Sequence, residues 1–305
     1  MKTGVIAIVL TLLAPVPACG QEAGPKLLNV PGAVFRYVAE GDGPPVIAFT
    51  GSENIGQVLY SDRLREVVTI IHADPSQIPA EQLGSITMRS VLEDIERVRM
   101  ALGVETISVM GHSMFAPVPL EYGLAFPNHA RFLILSGGLP YTTSKALQAA
   151  GAYWDTAASQ ERKDIREANY RALAQREGES RTEAERFWDG YVAEVPYRFA
   201  DPRFDMARFT TGLAPSTNVS FVSHFWNVVL KDYENTSAYA QLRSPVLVVA
   251  GKFDFGAPYF LWDPVARVIP DYTFHLFNNA GHNPMLEVPE EFDRVLIAWM
   301  RSRGL

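Results

Sequence analysis

The chain has 305 residues, 48% of them hydrophobic and 20% charged, the balance of a folded globular protein and enough for one large α/β domain or a core carrying an insertion. A formal net charge of −7 argues against the basic face of a nucleic-acid binder and against a polybasic membrane patch. A single cysteine excludes an intrachain disulfide, and no internal repeat or low-complexity run is visible.

In chain order the first element is a leader. Lys2 supplies a positive start, and Val5 to Leu13 is an apolar run too short to span a bilayer. Small residues then lead up to Ala18, the layout of a secretory signal peptide over residues 1–18. Cys19 stands where a bacterial lipoprotein signal places its lipidated cysteine, and Val16-Pro17-Ala18-Cys19 resembles a lipobox. Plain cleavage after Ala18 and an uncleaved anchor are the alternatives. The expected location is exported, periplasmic or cell-envelope, with the membrane touched only through an N-terminal lipid. Residues 19–26 read as a tether, because Gln21 to Lys26 is polar and contains Gly and Pro.

Folding should begin near Leu27. Ala33 to Val38 is rich in strand formers and is followed by a Gly41-Asp42-Gly43-Pro44 turn. Val46 to Phe49 and Val67 to Ile71 are continuous apolar runs, as expected of strands buried on both faces. Apolar residues recur at helical spacing from Ser90 to Leu102, and Gly103 is a stop signal. Thr106 to Met110, Phe132 to Leu135, Val246 to Val249 and Tyr272 to Phe277 read as further strands. Pro117 to Ala125 and Glu290 to Met300 read as helices. Buried strands alternating with helices predict an α/β fold with a mostly parallel sheet flanked by helices.

One stretch breaks the alternation. From Pro140 to Gln241 the chain is helical in flavour, with candidates at Lys145–Ala157, Gln160–Arg176 and Arg181–Val192, and it is dense in aromatics such as Trp154, Trp188, Tyr191 and Trp226. It is too long to be a loop. Residues 27–139 and 242–305 are therefore expected to form the core and 140–241 an inserted helical cap. The insertion enters and leaves at the carboxyl end of the sheet, where ligands bind in open α/β sheets. A second packed domain with no role in the site is the alternative.

The chemistry is concentrated at three turns. Gly111-His112-Ser113-Met114-Phe115 lies between a strand and a helix, the layout of a nucleophile elbow. A serine hydroxyl is a weak nucleophile and needs a base oriented by a third group. Asp254 follows the strand ending at Ala250, and His282 follows the strand ending at Phe277. His72, His112, His129, His224 and His275 fit the base role less well by position.

Four segments carry a family resemblance: Tyr37 to Pro45, Gly111-His112-Ser113-Met114, Gly251-Lys252-Phe253-Asp254, and Ala280-Gly281-His282-Asn283-Pro284. Together they resemble the α/β-hydrolase fold superfamily, with the proline-iminopeptidase-like and esterase-like branch nearest in appearance. The resemblance covers nearly all of Val34 to Met300. It implies an α/β-hydrolase fold and a Ser113–His282–Asp254 triad. Families of this fold can place the acid after an earlier strand, but no Asp or Glu follows Leu135-Ser136-Gly137-Gly138. The resemblance also implies oxyanion donors at the backbone N–H groups of Met114 and Ser52. Thr50 stands where related enzymes usually have histidine, and Phe115 where the elbow usually has glycine. Phe115 either lines the substrate pocket or marks an inactive relative.

Other chemistries lack their motifs. An elbow aspartate would point to epoxide or haloalkane hydrolysis, and no dinucleotide fingerprint, P-loop or H-E-x-x-H metal pattern is present. No cofactor or metal is expected. The expected protein is a serine hydrolase acting on a small ester, amide or short peptide. An aminopeptidase would need carboxylates beside the site to hold the free amine. Glu53, as a pocket residue, and Asp155, Asp189, Glu194 and Asp232 are the candidates. A non-catalytic binding module on the same fold would be expected to have lost a triad member, and none is lost.

Overall fold

A computed structural model of the protein describes residues 24–305; the leader at 1–18, Cys19 and the tether up to residue 23 lie outside the described residues. One sheet runs through the molecule. Its strands are β1 (Lys26–Leu28), β2 (Arg36–Glu40), β3 (Pro45–Phe49), β4 (Thr69–Asp74), β5 (Ile107–His112), β6 (Ala130–Ser136), β7 (Val246–Gly251) and β8 (Tyr272–Phe277). Their spatial order is β1-β2-β4-β3-β5-β6-β7-β8. β1 and β2 pair antiparallel, as do β2 and β4, and every other ladder is parallel.

The apolar runs become central strands because both of their faces are covered. Along β3, Ile47 and Phe49 pack into one core with the helices Met88–Ala101 and Pro117–Ala125, while Val46 and Ala48 pack into a second with the helix Pro289–Arg301. Burying each large aliphatic side chain stabilises the fold by about 1.5–3 kcal/mol.

Two strands start two or more residues later than the sequence predicts, each for a local reason. The strand expected from Ala33 begins at Arg36, because the amides of Val34 and Phe35 donate to the buried Asp94 carboxylate at 2.7 and 3.0 Å instead of to a ladder. The strand expected from Val67 begins at Thr69, because the amides of Val67 and Val68 close the preceding helical turn onto Leu64 O. The helix read from Ser90 starts at Met88. Thr87 caps it and Ser90 reciprocates, which satisfies amides that the first turn leaves open.

Between β6 and β7 the chain forms the helices Ser144–Ala157, Gln160–Ala174 and Glu183–Ala193, followed by shorter helical segments and a π-helical turn at Phe225–Val229. The aromatics of this segment hold it to the rest of the molecule. Trp154 meets Phe255, on the loop after β7, edge to face at 5.1 Å. The buried Arg162 donates to the carbonyls of Pro196, Phe199 and Ala200, fixing the turn that they form.

Candidate active site

The elbow is built by close approach. β5 runs into a tight turn at Ser113–Phe115, and the helix Pro117–Ala125 follows with proline in its first turn, where a missing N–H costs nothing. Ser113 has φ of +58°, a conformation that costs a non-glycine residue energy and is tolerated only when surrounding structure enforces it. Gly111 is part of that enforcement: a Cβ there would stand 2.2 Å from Phe115 O. The strained turn lifts the Ser113 hydroxyl to the carboxyl edge of the sheet.

Two other strand ends meet it there. Asp254 follows β7, and its Oδ1 accepts the amides of Gly256 at 3.1 Å and Ala257 at 2.9 Å, which locks the carboxylate in place. Its Oδ2 lies 2.7 Å from His282 Nδ1. A carboxylate only accepts, so Nδ1 carries the proton and Nε2 presents its lone pair. That Nε2 lies 2.9 Å from Ser113 Oγ. Ser113, His282 and Asp254 are thus joined in series, and the arrangement can draw the hydroxyl proton toward the imidazole.

The His282 loop is held from behind by Glu287. Its Oε1 accepts the amides of Gly281 at 2.9 Å and Asn283 at 3.2 Å, and its Oε2 accepts the amide of Ala200 at 2.7 Å. Burial pushes this carboxyl up to about 7 even though the three amides favour the charged form; the nearby Asp254 also raises it. His282 itself donates its amide to Arg198 O at 2.5 Å.

His112 lies beneath. Its Nδ1 is 3.1 Å from Ser136 O, and its Nε2 is 3.1 Å from the side-chain amide of Asn283, which also reaches Tyr191 Oη at 2.9 Å. Burial, then the adjacent His282, pushes the His112 imidazole down to about 3. A neutral ring that donates to a carbonyl from Nδ1 must accept at Nε2. The NH2 group of Asn283 therefore faces His112 and its oxygen faces Tyr191.

A cavity of about 570 Å³ opens over Ser113 and His282. Its walls are mostly apolar and come largely from the inserted segment, including Trp188, Tyr191, Val222 and Trp226. Besides His112 and His282, Glu194 and Arg198 are the ionic side chains that line it. Both oxygens of Glu194 are taken by Arg166, at 2.6 and 3.1 Å, and Tyr170 donates to it as well.

The remaining sequence candidates divide. Met114 and Phe115 line the cavity. The Phe115 ring packs 4.9 Å from Phe225 and 6.0 Å from Phe49, so it forms the cavity floor and part of the core at once. The Ser52 side chain does not reach the cavity. It is buried, caps the helix Glu53–Leu59 by accepting from Ile55 N, and meets Ser216 Oγ at 3.2 Å. Thr50, in the usual histidine position, donates to Ser52 O at 3.1 Å and keeps the loop compact. The amides of Ser52 and Met114 donate to no backbone acceptor among the described residues.

Glu53 is a correction: it does not line the pocket. The first helical turn points it at the sheet edge, where it pairs with Arg36, which also binds Asp74 at 2.7 Å, and accepts from Gln57. The amine-binding candidates Asp155 and Asp232 are exposed outside the cavity, and Asp189 is paired with Arg176 and Arg181. Sequence reasoning missed Glu287 and Arg198. For Glu287 a signal was available, a carboxylate one helical turn past the Gly281-His282-Asn283-Pro284 loop.

Comparison with known proteins shows the fold family. The sequence model of the alpha/beta hydrolase fold matches residues 72–289. The chain is 28% identical over 274 residues to the AB hydrolase superfamily protein YclE of Bacillus subtilis (strain 168), covering 88% of this chain and 96% of that protein. Among solved structures it is similar to a proline iminopeptidase from Mycobacterium smegmatis, with TM-score 0.67, 18% identity and 92% and 98% of the two chains covered. It is also similar to the esterase EaEST from Exiguobacterium antarcticum, with TM-score 0.65, 19% identity and 90% and 98% covered.

Proposed function

The chain belongs to the alpha/beta hydrolase fold family, and from that premise we propose that it is a serine hydrolase that cleaves a small ester through an acyl-enzyme. One observation carries the reading: Ser113 Oγ lies 2.9 Å from His282 Nε2 while His282 Nδ1 lies 2.7 Å from Asp254 Oδ2.

In this reading Ser113 Oγ attacks the ester carbonyl carbon as its proton passes to His282 Nε2. Asp254 holds the ring in the required tautomer and stabilises the imidazolium. The tetrahedral oxyanion takes hydrogen bonds from the amides of Met114 and Ser52; each such donor is worth about 3–4 kcal/mol at the transition state. The carbon–oxygen bond to the alcohol breaks, and the alcohol leaves with the proton from His282. Water then attacks the Ser113 ester and gives its proton to His282. The acid departs and the serine is restored. The inserted segment acts as a cap that keeps bulk water off the acyl-enzyme.

An ester is favoured over an N-terminal amine because the one cavity carboxylate, Glu194, is already paired with Arg166. Turnover of a p-nitrophenyl acyl ester against a proline anilide separates the two. The leader and Cys19 extend the proposal to an exported, lipid-anchored enzyme, and Cys19→Ala should release it from the membrane fraction. Labelling by a fluorophosphonate probe tests the core of the proposal. Wild-type protein should label and Ser113→Ala should not. Folded protein that takes up no label at Ser113 would instead be a binding module.

A further inference from the structure

Arg198 stands beside the reacting groups with its charge unanswered. Its carbonyl accepts the His282 amide at 2.5 Å. The joint is tight: a Cβ at Gly281 would come within 2.0 Å of Arg198 O, so the Arg198 backbone is held at a fixed offset from the imidazole. The side chain lines the cavity, its guanidinium lying over the Tyr191 ring at 5.0 Å. Its Nε is sealed from solvent with no partner, and among the described residues the guanidinium belongs to no ion pair.

Neighbouring carboxylates are engaged with other donors, and none of them pairs with it. Glu194 is spanned by both arms of Arg166. Asp254 accepts from His282, Gly256 and Ala257. Glu287 accepts three backbone amides. A guanidinium that borders a cavity is best satisfied by an anion, and within the protein this half-buried one meets only the face of a ring. The cavity therefore combines apolar walls with a guanidinium, at its reactive end, that has no ion-pair partner among the described residues.

We propose that the substrate is an ester whose acyl or alcohol half carries a carboxylate, and that Arg198 binds that carboxylate. The proposal rests on the serine-hydrolase reading above and names its substrate class. A planar carboxylate matches the guanidinium fork and balances its single charge. A phosphate monoester would bring a charge of about −1.5 to −2 and leave an excess on apolar walls. A substrate with a free ammonium would meet the same charge as Arg198.

Two matched pairs of esters test it: monoethyl adipate against ethyl hexanoate for the acyl half, and 4-carboxyphenyl butanoate against phenyl butanoate for the alcohol half. In at least one pair the anionic member should have kcat/KM higher by about 10- to 100-fold, the range of a charge-assisted hydrogen-bonded contact. Added salt should shrink the ratio. Arg198→Gln should bring it close to one, and Arg198→Lys should keep part of it. Equal or slower turnover of both anionic members by wild-type protein that labels at Ser113 overturns the carboxylate site and leaves the hydrolase reading standing. Binding of adipate, read as a rise in unfolding temperature, is independent of turnover. A rise in wild type that Arg198→Gln loses supports the site even if Ser113 proves unreactive, and no rise in wild type overturns it.

Discussion

Glu287 accepts the backbone amide of Ala200 at 2.7 Å, and this bond ties the inserted segment to the loop that carries His282. A second stitch runs the other way, from the His282 amide to Arg198 O. Arg162 clamps the carbonyls of Pro196, Phe199 and Ala200 and keeps both stitches in register. The position of the candidate base is therefore set by the insertion as much as by β8. The insertion and the His282 loop are thus bonded into one unit.

That unit holds two titrating groups with opposite effects on stability. Between pH 4.5 and 6.5 an unfolded chain has lost the Glu287 proton, while the native carboxyl keeps it up to about 7. The native state then binds more protons, and stability falls as pH rises, by about 1.4 kcal/mol per pH unit. Over the same window an unfolded His112 takes up a proton that the native ring refuses down to about 3, so its contribution rises with pH by the same amount. The two cancel. Glu287→Gln should add a positive slope of about 1.4 kcal/mol per pH unit relative to wild type, and His112→Gln a negative one. Urea midpoints at about pH 4.8 and about pH 6.2, taken at constant ionic strength, read both. Parallel profiles for wild type and Glu287→Gln would show that this carboxyl is ionised in the native state.

Asp254→Asn should leave the fold intact while lowering kcat by about four orders of magnitude, because an amide can present N–H to Nδ1 and select the wrong tautomer. Combining it with Ser113→Ala should cost little beyond the serine variant alone, since the groups act as a unit. Additive losses across the two changes, measured on the best ester, would mean that Asp254 and Ser113 serve separate steps.

Glu53→Gln should leave kcat/KM within about twofold of wild type and cost at most about 1 kcal/mol of stability, the scale of a partly exposed ion pair. Its partner Arg36 keeps Asp74, and neither side chain of the Arg36–Glu53 pair borders the cavity. A tenfold loss of activity in a normally folded Glu53→Gln protein would return this carboxylate to the site.

The strands and the three residues that meet at their carboxyl edge were legible because their signals are local. β3, β5, β6 and β7 are apolar runs, Ser113 and Asp254 each follow such a run by a few residues, and His282 follows β8, which is rich in strand formers. Glu53 was misread because it adjoins the oxyanion candidate Ser52, while the turn of its helix sends it toward Arg36. Arg198 carries no local signature, and Glu287 has only its place one helical turn past the His282 loop. Their roles depend on which acceptors and donors the insertion brings within 3 Å of the His282 loop, and no periodicity encodes that. Asp94 is similar: it reads as one charge on the polar face of an amphipathic helix, yet it is buried and terminates β2 by binding the amides ahead of it.

Phe115 offers the sharpest test of how the cavity sets specificity. Its ring is buried between Phe49, Phe221 and Phe225 and also lines the cavity, so shortening it removes core packing and enlarges the acyl space together. Phe115→Ala should lose about 3–5 kcal/mol of stability, the usual cost of emptying a packed aromatic site. Phe115→Leu keeps most of the volume and should cost less, leaving enough folded protein to assay. Across a series of acyl esters its optimum should move toward longer or branched chains, because the floor beneath Ser113 drops away from the substrate. If the optimum stays put while stability falls, the ring is a core residue alone, and other lining residues such as Trp188, Val222 and Trp226 limit acyl length.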